Sequence, residues 1–124
     1  MKKLTMLFVA TFAFGCLAFG AQHVFYGVVS DSMCGAKHHR ASAAAATCVK
    51  NCAARGAKYV LVRRVAGTYK VYQVTPQEKF TGFPGKRVRV EGSLSGDTIT
   101  AQTVAAVHYK SRAKAKTGAG LYVK

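Results

Sequence analysis

Short segments rich in β-branched and aromatic residues, separated by turn residues, are the feature that most limits the folds open to this chain. They cover residues 24–30, 58–64, 68–74, 87–94 and 98–107. Val-Ala-Gly after the second segment and Ser-Gly-Asp after the fourth are typical of tight hairpin turns. The pattern predicts five β-strands, and we interpret Gly27 as the mark of a bulge in the first strand.

Two helical segments interrupt the predicted strands. Ser42 is a good N-cap for the alanine-rich residues 43–55, and Gly56 is well placed to end that helix. The sequence Thr-Pro-Gln-Glu at residues 75–78 has the form of a capping box with proline at the first helical position. It predicts a short helix that ends near Gly82.

Five short strands with a helix between the third and the fourth follow the element order of an OB-fold barrel. The predicted fold is therefore mainly β: a small five-stranded OB-like barrel, with one helix inserted after strand 1 and a short helix between strands 3 and 4. We expect the barrel domain to cover residues 21–107, with a Cys/His insertion at residues 31–56. Residues 108–124 form a basic tail without periodicity, which we expect to be disordered.

The beginning of the chain has the pattern of a secretory signal peptide. Two lysines precede an apolar run, residues 4–19, which ends in small residues and is short for a membrane span. Cleavage near residue 20 would give a secreted or periplasmic protein with no transmembrane span. Retention as a membrane anchor is one alternative, and lipid attachment at Cys16 is another, although the preceding residues depart from the usual lipobox.

The chain is strongly basic, with a formal net charge of +15, or +13 once the two leader lysines are removed. This charge favours anionic partners such as envelope glycans or extracellular nucleic acid. OB barrels commonly bind polymers on the face of strands 2 and 3 through aromatic and basic side chains. The candidate residues for such a face are Tyr59, Tyr69, Tyr72, Lys58 and Lys70.

The stretch MCGAKHHRASAAAATCVKNCAARG, residues 33–56, holds the three cysteines that remain if Cys16 is removed or acylated. Its spacing, C-x3-H-x9-C-x3-C, resembles that of a structural zinc site. Cys48 and Cys52 lie one helical turn apart, where a disulfide would strain a regular helix but two metal–sulfur bonds can span the gap. The sequence therefore predicts a zinc or copper(I) site. Its ligands would be Cys34, Cys48, Cys52 and His38, or His39 in place of His38.

A structural disulfide is the competing interpretation for this stretch. In an oxidising compartment Cys34 could pair with Cys48 or Cys52, which would leave the third thiol buried. A redox or nucleophilic thiol is less favoured, because the sequence has no C-x-x-C motif and no residue to orient a neighbouring histidine. With only four acidic residues, no phosphate-binding loop and no nucleophile elbow, the chain is predicted to be a binding module rather than an enzyme.

The segment SDSMCGAKHH…CVKNCAARGAKYVLV, followed by the hairpin GKRVRVEGSLSGDTITAQTV, resembles a family of uncharacterised small secreted bacterial domains. Members of that family carry a Cys-x3-His and Cys-x3-Cys insertion after the first strand of an OB-like barrel. The resemblance covers about residues 25–107. It implies the fold and the position of the site, and it implies no activity.

Overall fold

The computed structural model describes residues 21–108, and in it the strands close into a barrel. The five strands are β1 His23–Asp31, β2 Tyr59–Val65, β3 Thr68–Thr75, β4 Arg87–Ser95 and β5 Thr98–Ala106. Their order around the barrel is β1-β2-β3-β5-β4, and β4 pairs again with β1. Only the β3–β5 pair is parallel. The predicted five-stranded OB-like barrel is confirmed, whereas the predicted signal peptide, Cys16 and residues 109–124 of the predicted tail lie outside the described residues.

The interior of the barrel is an apolar core to which every strand contributes. Its buried members are Phe25, Val29, Leu61, Tyr72, Val74, Phe80, Val88, Val90, Ile99 and Ala101. The period-2 alternation of the strands, predicted for residues 87–94, accounts for this arrangement, because alternate side chains of a strand share one face. Phe80 is fully buried and comes from the connection between β3 and β4.

That connection contains a short 3₁₀ helix, Gln77–Phe80. The short helix is confirmed, but the predicted capping box is wrong. Pro76 is the N-cap, with an extended backbone, and no side chain caps the helix. The Gln77 side chain instead accepts a hydrogen bond from the Tyr59 backbone N–H and donates to the Tyr59 and Val74 carbonyl oxygens, at 2.7, 3.0 and 2.8 Å. The Gln77 side chain therefore fastens the 3₁₀ helix to β2 through Tyr59 and to β3 through Val74.

Gly27 does not mark a bulge, because its pairing with β4 continues in register. A Cβ at Gly27 would lie 2.6 Å from the carbonyl oxygen of Val62. The glycine is required by this close approach of β1 to β2. The irregular position lies instead in β4, between Glu91 and Gly92.

The connection between β1 and β2 contains a 3₁₀ helix, Gly35–His38, and the helix α1, Ala43–Ala54. We call residues 32–58 the insertion. The Ser42 hydroxyl accepts a hydrogen bond from the Ala45 backbone N–H at 3.0 Å, and Gly56, with φ at +98°, follows the helix, so both predicted ends of the helix are confirmed. The 3₁₀ helix contacts β1, β2 and β3, while α1 packs against β1.

The insertion packs on the outside of the barrel. Val60 and Val62 flank the core residue Leu61 in β2, so they point to the opposite face, yet both are buried. The insertion itself contributes little apolar surface, because Ala45 and Val49 are the buried residues of α1. Among the described residues, none of the helices has the length and apolar character needed to cross a membrane.

Candidate metal centre

The three cysteines of the insertion come together at the end of β1. Cys34 is the N-cap residue of the 3₁₀ helix, while Cys48 and Cys52 lie one turn apart on α1. The Sγ atoms of Cys34 and Cys48 are 3.9 Å apart, well beyond the S–S bond length of about 2.05 Å. No disulfide is formed among the described cysteines. Two sulfurs bound to one tetrahedral zinc ion at about 2.3 Å each lie about 3.8 Å apart, so the observed separation suits two ligands of one ion.

A histidine joins this pair of cysteines. One ligand atom each from Cys34, His38 and Cys48 lie within 4.8 Å of one another. The Nε2 atom of His38 is buried and has no hydrogen-bond partner within the described part of the chain. His39, the alternative ligand in the sequence, lies elsewhere: its Nδ1 is hydrogen-bonded to the Ala36 carbonyl oxygen at 3.0 Å. The structure therefore places His38, and not His39, beside the thiols.

The remaining cysteine belongs to a second group, which includes a residue that the sequence analysis did not select. Ligand atoms of Asp31, Cys34 and Cys52 lie within 4.8 Å of one another. Asp31 is fully buried, and its Oδ1 accepts hydrogen bonds from the backbone N–H groups of Met33 and Cys34 at 2.9 and 2.8 Å. Its other carboxylate oxygen, Oδ2, has no hydrogen-bond partner among the described residues.

The predicted four-residue set is thus divided into two overlapping groups that share the sulfur of Cys34. Asp31 belongs to one group and His38 to the other, and Asp31 Oδ2 and His38 Nε2 are the buried side-chain oxygen and nitrogen atoms that lack a partner among residues 21–108. An unsatisfied buried polar group costs about 1–3 kcal/mol. A cation bound in either group could accept an electron pair from the unpartnered side chain of that group and remove its cost.

The surroundings favour the protonated thiols of Cys34 and Cys52. Burial raises the pKa of Cys34, with further increases from the contact with Cys48 and from the negative charge of Asp31. Burial and the same carboxylate raise the pKa of Cys52 to about 11. A nucleophilic cysteine needs a lowered pKa, so the site lacks the electrostatics of a reactive thiol. A metal ion would reverse the effect, because a bound cation displaces the thiol protons.

The tyrosines predicted to form a polymer-binding face are not on one surface. Tyr72 is 5% exposed and belongs to the barrel core, and Tyr59 packs against the same core. Tyr69 lies on the outside, where its ring stacks on that of His39 with the centroids 4.2 Å apart. Tyr69 and Tyr72 are three residues apart along β3. Because successive side chains of a strand point to alternate faces, the two rings point to opposite faces of the sheet. A single aromatic platform made of all three residues is therefore ruled out.

The two lysines predicted for that face are also in different settings. Lys70 forms a salt bridge with Asp97, at 2.8 Å between Nζ and Oδ1, and its ammonium group lies over the Tyr72 ring. The bond to Asp97 raises the pKa of Lys70. Lys58 is exposed at the end of the insertion. The predicted residues therefore do not form one joint site.

Comparison of the chain with protein-family models, with curated proteins and with solved structures gives no match.

Proposed function

We propose that this protein is a small secreted metal-binding module, in which the insertion binds a transition-metal ion on the outside of an OB-like barrel. The proposed ligands are Cys34, His38, Cys48 and Cys52. The observation that carries the proposal is the 3.9 Å approach of two sulfurs beside His38, whose buried Nε2 has no hydrogen-bond partner among the described residues. Thiolate and imidazole together suit zinc, and also copper(I).

The ligands are held by elements that are already fixed by the barrel. Asp31, at the end of β1, binds the backbone N–H of Cys34, and Ser30 binds the carbonyl oxygen of Gly35 through its hydroxyl at 2.7 Å. Val49 lies between Cys48 and Cys52 in the sequence. Its side chain is fully buried and anchors α1. The donor atoms are therefore brought together before the ion binds, which lowers the entropy cost of forming the site.

The proposal is tested by measuring the metal content of the full chain after equilibration with zinc or with copper(I) under reducing conditions. A Cys16→Ser background removes the one thiol outside the insertion. We expect bound metal in this parent and its loss in the Cys48→Ser, Cys52→Ser double variant. His38→Gln should weaken binding, whereas His39→Gln, the matched control at the neighbouring histidine, should not.

Two results would overturn the proposal. One is metal content that is unchanged in the double cysteine variant, which would place the ion elsewhere. The other is a protein purified without reductant that carries no metal and is lighter by two hydrogens. That mass would assign the cysteines to a disulfide.

A second candidate function, binding of an anionic polymer, is favoured by a cavity lined by residues of both the insertion and the barrel. A cavity of about 600 Å³ is lined by Arg40, Arg64 and Arg87, together with Tyr26 and Tyr69. The ion pairs found among the described residues involve none of these three arginines. Guanidinium groups bind phosphate and carboxylate groups in a bidentate manner, so the cavity suits such groups on an envelope glycan or on extracellular nucleic acid.

This candidate is tested by the salt concentration that elutes the protein from immobilised heparin. Replacing the three arginines of the cavity by glutamine should lower that concentration more than replacing Lys50, Lys58 and Lys86, which removes the same charge elsewhere. Equal shifts would indicate attraction by net charge alone and would contradict a specific site.

A further inference from the structure

We propose that the metal centre holds two zinc ions bridged by the thiolate of Cys34, one bound by His38 and Cys48 and the other by Asp31 and Cys52. This inference rests on the proposed metal-binding function and makes it more specific. It adds Asp31 as a ligand, states the number of ions and selects zinc over copper(I).

The geometry supports two positions rather than one. The ligand atoms form two groups of three, each compact to within 4.8 Å, and the Cys34 sulfur is common to both. A sulfur with several lone pairs can bind two ions at once. Each ion would then have three protein ligands, which leaves its fourth tetrahedral position open to a solvent molecule.

Asp31 carries the argument for the second ion. Its side chain is fully buried, and one oxygen is already used by the backbone N–H groups of Met33 and Cys34. The other oxygen has no partner among the described residues, and the Asp31 carboxylate lies in a group with the sulfurs of Cys34 and Cys52. A carboxylate without a counter-charge is costly to bury. The Asp31 carboxylate can therefore act as a negatively charged ligand beside the thiols of Cys34 and Cys52.

The donor set also indicates which metal is bound. Copper(I) prefers soft sulfur ligands, whereas zinc accepts sulfur, nitrogen and carboxylate oxygen together. When both ions bind, the three thiols of the two groups release three protons to solvent, and three thiolates and one carboxylate remain. Their four negative charges equal the positive charge of two zinc ions. A single zinc ion bound by Cys34, His38 and Cys48 would balance two thiolates and leave the buried Asp31 carboxylate without a counter-charge, which is unfavourable.

The test is the number of ions bound per chain at saturation, measured by native mass spectrometry with zinc as the probe. The full chain is used under reducing conditions in the Cys16→Ser background. We expect two ions in this parent, and one ion in Asp31→Asn and in Cys52→Ser. The matched carboxylate control is Asp97→Asn, an exposed aspartate outside both groups, which should still bind two ions.

Asp31→Asn keeps an oxygen that can accept from the Met33 and Cys34 N–H groups, so the turn after β1 should be retained. Cys52→Ser changes α1 and leaves that turn untouched, which provides a second variant of the same ion position. One ion in the parent would overturn the two-ion inference and leave the proposed function in place. No ion in the parent would overturn both. Two ions in Asp31→Asn and in Cys52→Ser would show that the second ion lies elsewhere.

Discussion

The barrel and the insertion are stabilised in different ways. The barrel encloses ten buried apolar residues, and its connecting 3₁₀ helix is fastened by three hydrogen bonds of Gln77. The insertion has an alanine-rich helix with two buried residues, and it holds all the thiols of the described chain. Asp31 and His38, whose Oδ2 and Nε2 atoms are buried without a partner among the described residues, are at this site as well. The difference indicates that the barrel is maintained by apolar burial, and we expect the insertion to gain stability when its polar cluster binds an ion.

The largest expected effect of a single change lies in the barrel. Phe80 is fully buried in the core, and Phe80→Ala should lower the free energy of unfolding by about 3–5 kcal/mol, because it removes buried apolar surface and leaves a cavity. Urea unfolding measures the loss. Val24→Ala, at a position that is 44% exposed, is the matched control and should change stability little. A small effect of Phe80→Ala would contradict a barrel held by its core.

The next effect separates the two regions directly. Zinc at 100 times its dissociation constant should stabilise whatever it binds by about 2.7 kcal/mol. Removing zinc with a chelator should therefore speed hydrogen exchange at the amides of α1. The increase should reach up to about 100-fold if the ion must dissociate before α1 opens. Exchange at the amides of β4 should change little. An equal increase in both elements would show that the insertion and the barrel unfold as one unit.

The stability of the zinc-free protein should also fall at alkaline pH, because the Cys52 thiol of the insertion loses its proton. The pKa of Cys52 is raised from 9.0 to about 11 in the folded protein. The folded state thus holds the thiol proton more tightly than the unfolded state does, and this contribution is complete below pH 9. It is lost as the pH rises from 9 to 11. Urea unfolding across this range should show a shallower fall for Cys52→Ala, and an identical fall would contradict the raised pKa.

The smallest effect is expected on the exposed side of the barrel. Arg89 and Thr103 bond to the Glu91 carboxylate and lower its pKa from 4.5. Their contribution to stability is present above pH 4.5 and is lost as the pH falls through the lowered pKa. Glu91→Gln should remove this acid-side dependence and change stability only slightly at pH 7, because the groups are exposed. Unchanged acid sensitivity in the variant would show that Glu91 is not its source.

The strands and α1 could be predicted from the sequence to within a residue or two, because alternation, turn residues and helix caps are local signals. Ser42 and Gly56, for example, bound α1 in the sequence and in the structure alike. The exposure of the tyrosines could not be predicted. Both faces of β2 are buried, by the core on one side and by the insertion on the other, so apolar pattern alone does not show which face of the neighbouring β3 is inside.

The site was predictable where it depends on spacing and unpredictable where it depends on the path of the chain. The spacing of the cysteines and of His38 in the sequence indicated metal ligands, and the structure brings them together in two groups. Asp31 ends β1, and one of its oxygens accepts hydrogen bonds from the turn that follows. Its carboxylate lies near Cys52 only because α1 packs against β1, which no local pattern reveals.

The most direct test of the central claim, that the insertion is a thiolate metal centre, is X-ray absorption at the zinc edge on the zinc-loaded full chain with Cys16→Ser. We expect a sulfur shell at about 2.3 Å together with nitrogen or oxygen at about 2.0–2.1 Å. The Cys48→Ser, Cys52→Ser variant should retain no zinc with this sulfur shell. Zinc surrounded by nitrogen and oxygen alone in the parent protein would contradict a thiolate metal centre.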